Sequence, residues 1–205
     1  MTVRRSTQPD RPADRWWTVV APAYDLAVAL VGWHRWQDEL LADVTSGIVL
    51  DVGCGPAHLA GSLLARGVDY VGLDRNPAMV ARAGRAVGAA GPGRGDVVRA
   101  DLVAMPFHAE SFDVIVATGV LGLLEVPVRR AALREMVRVS RGEVRLLEPV
   151  HRVDAPIRAI SSRVLAFVRD RPIELDELVE VGLEPEVRGR ARLAGVYSMI
   201  RASKH

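Results

Sequence analysis

The chain contains a single cysteine, Cys54, and a single lysine, Lys204. One cysteine excludes an intramolecular disulfide and a thiolate metal cluster, and it fits a reducing, cytoplasmic setting. With lysine confined to the C-terminal end, Schiff-base and lysine-base chemistry have no internal candidate. Long apolar runs are also missing. The segment from Val19 to Val31 is interrupted by Pro22 and Asp25 and is too short to span a bilayer. The stretch from Met1 to Trp17 is polar, contains prolines and has no apolar core of signal-peptide length, so residues 1–18 read as a flexible arm. The formal charge is only +2, with a basic side that is almost wholly arginine. At 205 residues the chain can bury a full core as one medium-sized domain, expected over 19–205.

What is present is concentrated between Ile48 and Gly61, IVLDVGCGPAHLAG. Ile48, Val49 and Leu50 make a short apolar run suited to a buried parallel strand, which Asp51 ends. Gly53 and Gly55 permit positive φ and close approach of a ligand to the backbone. Residues His58 to Arg66 then read as a helix with Leu59, Leu63 and Leu64 inward, whose N-terminus offers N–H groups to an anion. A dinucleotide fingerprint would place a third glycine where His58 stands, so pyrophosphate passage is blocked. Ala57 leaves room for a small ligand but makes a positive φ costly.

Two further stretches follow in register. YVGLDRNPAM, Tyr70 to Met79, ends a second strand in Asp74, 23 residues after Asp51. That is near the spacing of about 20 residues expected of a ribose-binding acid in a βαβ unit. ADLVAMPFHAESFDVIVAT then carries Asp101 and Leu102. Together with LDVGCGPAHLA, these stretches resemble the motifs of class I S-adenosylmethionine-dependent methyltransferases, over about Trp33 to Leu183. The closest branch is the methyltransferase type 11 group that contains the quinone-biosynthesis enzymes. Pro56 and Ala57 depart from the usual spelling of the first motif.

The resemblance implies a doubly wound, Rossmann-like α/β fold, with a seven-stranded sheet, an antiparallel last strand and helices on both faces. It also implies S-adenosylmethionine as cofactor and S-adenosylhomocysteine as product. Asp51, Gly53, Cys54, Gly55, Arg75, Met79 and Thr118 are assigned to the cofactor site, as is Asp74 through the ribose hydroxyls. Asp101 reaches the adenine amino group and Leu102 offers its backbone N–H to the ring. APAYD near the N-terminus resembles the family's lid, giving Tyr24 a cofactor contact and residues 19–46 a lid and helix. Leu121, Ile160 and Phe167 are assigned to the acceptor. The family's histidine pair after the fourth strand is replaced by Gly122 and Leu123, and its KPGG turn is shortened to Ser140, Arg141 and Gly142.

Elsewhere the pattern alternates strand and helix, as a parallel sheet covered on both faces requires. An amphipathic helix is expected from Ala27 to Val44, burying Trp33, Leu40, Leu41 and Val44 and leaving His34 on the surface. Further helices are expected at Pro77–Val87 and Val128–Val139. Strands are expected at Val97–Ala100, Val114–Ala117 and Val144–Glu148, with Val196–Ile200 as the final antiparallel strand. Gly88 to Gly95 reads as a flexible loop. Asp154 can cap a helix reaching Arg169 inside an insertion over 151–171, whose apolar face suits an acceptor cover and whose arginines suit a membrane surface. Glu174 to Glu186 reads as a solvated acidic helical face.

These expectations converge on direct methyl transfer to a small-molecule or lipid-like acceptor. His58, Glu125, Glu148 and His151 are candidate acid–base groups, each with a surface or capping role as the plainer reading, and no catalytic residue or metal ligand is assigned. The alternatives are a cofactor-binding protein without turnover and an RNA methyltransferase. The acidic C-terminal region and the lack of an asparagine-proline-proline-aromatic motif disfavour nucleic acid.

Overall fold

The computed structural model describes residues 32–90, 93–150, 171–188 and 197–204. Among the described residues seven strands form one sheet flanked by helices, in the order β3 (Gly95–Arg99), β2 (Asp69–Asp74), β1 (Ile48–Val52), β4 (Phe112–Thr118), β5 (Ser140–Pro149), β7 (Tyr197–Lys204) and β6 (Leu183–Arg188). Two compact units divide the chain, Met1–Phe107 and His108–His205.

In the first unit, β1 (Ile48–Val52) pairs in parallel with β2 (Asp69–Asp74), which pairs in parallel with β3 (Gly95–Arg99). Val49, Leu50, Val52, Val71 and Leu73 are all buried, which accounts for the continuous apolar spelling of the first two strands. Helix α2 (His58–Ala65) buries Leu59, Leu63 and Leu64 as the spacing predicts. Helix α3 (Pro77–Gly88) starts at a proline, and its cap is Asn76, whose side chain accepts from Ala78 N at 2.9 Å.

The expected helix over Ala27–Val44 is shorter in its described part. Helix α1 is Trp33–Leu40, preceded by Gly32 at φ 75°, a conformation that cannot continue an α-helix. Trp33, Leu40, Leu41 and Val44 are nevertheless buried. The expected loop from Gly88 to Gly95 does join α3 to β3, but Gly88 still belongs to α3 and its last glycines are packing positions. A Cβ at Gly93 would lie 2.5 Å from Val68 O, and one at Gly95 2.3 Å from Val87 Cγ1. Gly95 already belongs to β3.

In the second unit, β4 (Phe112–Thr118) runs parallel to β5 (Ser140–Pro149), and β7 (Tyr197–Lys204) lies antiparallel between β5 and β6 (Leu183–Arg188). Helix α4 (Val126–Val139) buries Ala132, Leu133, Met136 and Val139. The antiparallel final strand is therefore present as expected. Two local expectations fail. Ser140, Arg141 and Gly142 form no separate turn but open β5, with a register shift opposite Phe112 and Val114 and a bond from Gly142 N to Ser140 Oγ of 3.0 Å.

The acidic segment Glu174–Glu186 is also not one solvated helix. Only Leu175–Val179 (α5) is helical; Gly182 turns the chain at φ 86°, and Leu183–Arg188 is strand. Leu183 is buried while Glu184, Glu186 and Arg188 are exposed, a period of two that the acidic content concealed. Pro185 is tolerated because β6 is the edge strand. Glu177 is buried against Arg129.

Candidate functional site

The first unit carries the expected glycine turn. Gly53 N and Cys54 N both donate to Leu73 O, at 2.8 and 3.0 Å, which folds the exit of β1 across the end of β2. Gly53, Gly55 and Ala57 take φ values of 71°, 54° and 62°. Thus Ala57 adopts the left-handed conformation that a methyl side chain disfavours by about 1–2 kcal/mol. It is the N-cap of α2, and no side chain caps that helix. A Cβ built on Gly55 would meet nothing within 4 Å, so the turn faces open space there.

Asp74 closes the other side. Its carboxylate accepts from Gly55 N at 3.0 Å and from Asn76 N at 2.8 Å, joining the turn after β1 to the turn after β2. Ala100 N donates to Asp74 O at 3.2 Å, which brings the exit of β3 alongside. Asp101 follows, buried, its side chain accepting from Val103 N at 3.2 Å, with Leu102 buried in the same turn. Arg75 is half-buried, its carbonyl accepting from Arg99 Nε at 3.0 Å, and Met79 is buried in α3. Asp51, Gly53, Cys54, Gly55, Asp74, Arg75, Asp101 and Leu102 thus all fall in the first unit, at or just past the ends of three adjacent parallel strands, with Met79 in the helix that follows the second.

Sequence reasoning missed what lies beneath the turn. The Tyr70 hydroxyl donates to Asp51 Oδ2 at 2.8 Å, and both residues are buried. Gly72 is the register partner of Asp51. A Cβ on Gly72 would sit 2.9 Å from Cys54 Sγ and 3.1 Å from the Tyr70 hydroxyl, so the missing side chain leaves the lane through which Tyr70 reaches Asp51. The available signal was the alternation Tyr70, Gly72, Asp74, which puts all three on one face of β2. Burial pushes the Asp51 carboxyl up to about 7; the Tyr70 hydrogen bond opposes this shift and the Asp74 charge adds to it. Burial, reinforced by the Asp51 charge, likewise raises Cys54 and Tyr70 well above their ordinary values. Gly72→Ala is expected to cost about 1–3 kcal/mol through overpacking of this lane. Urea unfolding of the variant beside the parent measures it, and a neutral substitution would mean that the lane has slack.

The remaining candidates are distributed as follows. Thr118 ends β4 and Leu121 is fully buried in the 3-10 turn Leu121–Leu123, both in the second unit. Glu148 is fully buried rather than on the surface, and its role is capping: it accepts from Val120 N, Leu121 N and Gly122 N at 2.8, 3.0 and 3.1 Å. Glu125 is exposed at the start of α4 and ion-paired with Arg171. His58 is exposed. His34, expected on the surface, is half-buried with its ring centroid 4.2 Å from that of His58. Tyr24, His151, Ile160 and Phe167 lie outside the described residues, as do the 1–18 arm and the helix expected from Asp154 to Arg169.

Comparison with known proteins adds what the chain is similar to. A family described as a methyltransferase domain matches residues 49–143. An uncharacterized methyltransferase of Mycobacterium marinum is 36% identical over 137 residues, 67% of this chain and 49% of that protein. One of Mycolicibacterium vanbaalenii is 36% identical over 131 residues, 62% of this chain and 47% of that protein. The chain spans about half the length of the curated relatives it matches.

Among solved structures, a putative methyltransferase of Haloferax volcanii, in complex with the Trm112 methyltransferase activator, has a TM-score of 0.70 at 15% identity, covering 97% of this chain and all of that one (100%). Magnesium protoporphyrin IX methyltransferase of Synechocystis, with bound S-adenosylhomocysteine, has a TM-score of 0.64 at 15% identity, covering 98% and 90%. Those two likenesses are of fold alone. The domain match over residues 49–143, the related methyltransferases and the β3-β2-β1-β4-β5-β7-β6 sheet agree with one another, and together they support a class I S-adenosylmethionine-dependent methyltransferase.

Proposed function

We propose that this chain transfers a methyl group from S-adenosylmethionine directly to a small-molecule or lipid-like acceptor. The observation that carries the reading is the hydrogen bond between Gly55 N and Asp74 at the open side of the glycine turn. It sets a carboxylate beside backbone that a ligand can approach closely. The donor residues fit the cofactor: an acceptor-only carboxylate at Asp74 suits two ribose hydroxyls, and Asp101 with Leu102 N–H suits an adenine edge. The turn from Gly53 to Gly55 and Met79 flank these groups, and no third glycine opens a pyrophosphate passage at His58.

The bound cofactor would supply a methyl group made electrophilic by its sulfonium. The chain's task is then to hold, orient and desolvate, and alignment alone can be worth about 7–11 kcal/mol in well-oriented reactions. Glu148 is committed to three backbone N–H groups and Glu125 to Arg171, so neither is assigned as a base.

Arg75 flanks the ribose acid in this reading. Tyr24, Thr118, Leu121, Ile160 and Phe167 keep the cofactor and acceptor roles that the family resemblance gives them. The same holds for a single catalytic domain over 19–205, an acceptor-covering insertion over 151–171, a cytoplasmic location and peripheral membrane contact. Among the described residues no helix is long and apolar enough to cross a membrane. The quinone-biosynthesis branch supplies the first acceptors to try. A screen of phenolic, quinone-like and lipid-like acceptors with methyl-labelled donor tests the proposal. Label transferred to one class, and lost in Asp74→Ala, is the expected outcome; cofactor binding with no transfer to any class would favour a binding protein.

A further inference from the structure

We propose that Tyr70 is a positioning residue that holds Asp51 ready beneath the cofactor turn and sets the pH below which the turn loses its ligand. The inference rests on the reading that this turn binds S-adenosylmethionine. Its geometric basis is independent of that reading: a hydroxyl 2.8 Å from Asp51 Oδ2, a tyrosine ring with no solvent exposure, and a lane kept open by Gly72.

Asp51 is the last residue but one of β1, and Gly53 and Gly55 follow directly. Titratable groups face it from two sides, Tyr70 and Asp74 on β2 and Cys54 in the turn. Of these, only the Tyr70 hydroxyl favours the ionised carboxylate; burial and Asp74 oppose it. The amino-acid end of the cofactor carries an ammonium, and a carboxylate below the turn attracts it. Ligand binding and Asp51 ionisation therefore help each other, so binding near neutral pH releases a proton and affinity falls as pH drops through about 7. Without the hydroxyl the carboxyl titrates at still higher pH, and the range of weak binding moves upward.

Tyr70→Phe keeps the ring and removes only the donor. S-adenosylhomocysteine affinity by calorimetry is expected to fall about tenfold at about pH 7, where the unsupported carboxyl stays protonated. At about pH 9 the gap should close to less than about threefold. In the Asp51→Asn background the same substitution should show no such pH dependence. A loss equal at both pH values, or no loss, would overturn the proposal and reduce Tyr70 to core packing.

Thermal unfolding of the ligand-free chain separates this from the cofactor reading. Because the folded carboxyl titrates above its unfolded value, its stabilising contribution is present below about pH 4 and is lost as pH rises through about 7. Tyr70→Phe should extend that loss to higher pH. If the parent protein binds no S-adenosylhomocysteine at any pH while the unfolding profiles shift this way, the cofactor reading fails and the Tyr70–Asp51 linkage stands. If binding is normal and the profiles coincide, the linkage fails.

Discussion

Glu177→Leu is expected to destabilise the second unit by about 3–5 kcal/mol, the largest single effect anticipated here. Arg129 and Glu177 are both almost fully buried and meet through two hydrogen bonds, Nε to Oε2 at 3.0 Å and Nη2 to Oε1 at 2.6 Å. The third guanidinium nitrogen, Nη1, donates to Arg171 O at 3.1 Å. Glu177 also accepts from Glu174 N at 3.3 Å, closing the capping box of α5. Its removal leaves a guanidinium in the interior with one acceptor in place of three, and an uncompensated buried charge is costly in a way that the intact pair is not. The double variant Arg129→Leu with Glu177→Leu should therefore recover much of the loss, since an apolar replacement of a buried pair is often neutral. Urea unfolding with unchanged m-value measures both. A cost below about 1 kcal/mol for the single variant would mean that water reaches the pair.

The second large effect is on the ligand. Asp74→Ala should weaken S-adenosylhomocysteine binding about 10- to 100-fold, because hydrogen bonds to a charged partner are worth about 1.5–3 kcal/mol. The fold should persist, since the Asn76 cap of α3 and the Leu73 carbonyl that anchors the turn are separate groups. The loss has two parts: the ribose contacts, and the restraint that Asp74 places on Gly55 N. Asp74→Asn retains one acceptor oxygen and should lose less. Asp101→Ala should cost less than Asp74→Ala, since one adenine contact is removed. Unchanged affinity in Asp74→Ala would place the ribose acid elsewhere.

The sequence was most informative where one element dictates the next. Strand, glycine turn and helix are consecutive in β1, Gly53–Gly55 and α2, and Asp74 was expected at the end of the second strand, where it stands, so local spelling sufficed for the placement of both. Tyr70 was not legible in this way. Its partner Asp51 lies 19 positions away, and only the register Asp51↔Gly72 brings the two together. Glu177 meets Arg129 across 48 positions, and nothing local distinguishes a buried glutamate from the exposed acids around it. Strand β6 was hidden because Glu184 and Glu186 continue the acidic run of α5, while the period changes from helical to alternating at Gly182. The packing role of Gly93 and Gly95 was hidden because close approach to Val68 and Val87 leaves no trace in the glycines themselves.

The central claim is that the turn from Gly53 to Gly55, with Asp74 beside it, holds an S-adenosyl cofactor. Isothermal calorimetry of the whole chain with S-adenosylhomocysteine, and separately with NAD, tests it most directly. The expected result is one site for S-adenosylhomocysteine with micromolar affinity or better, about −8 kcal/mol or stronger, and no heat with NAD. Micromolar NAD binding, with none for S-adenosylhomocysteine, would contradict it.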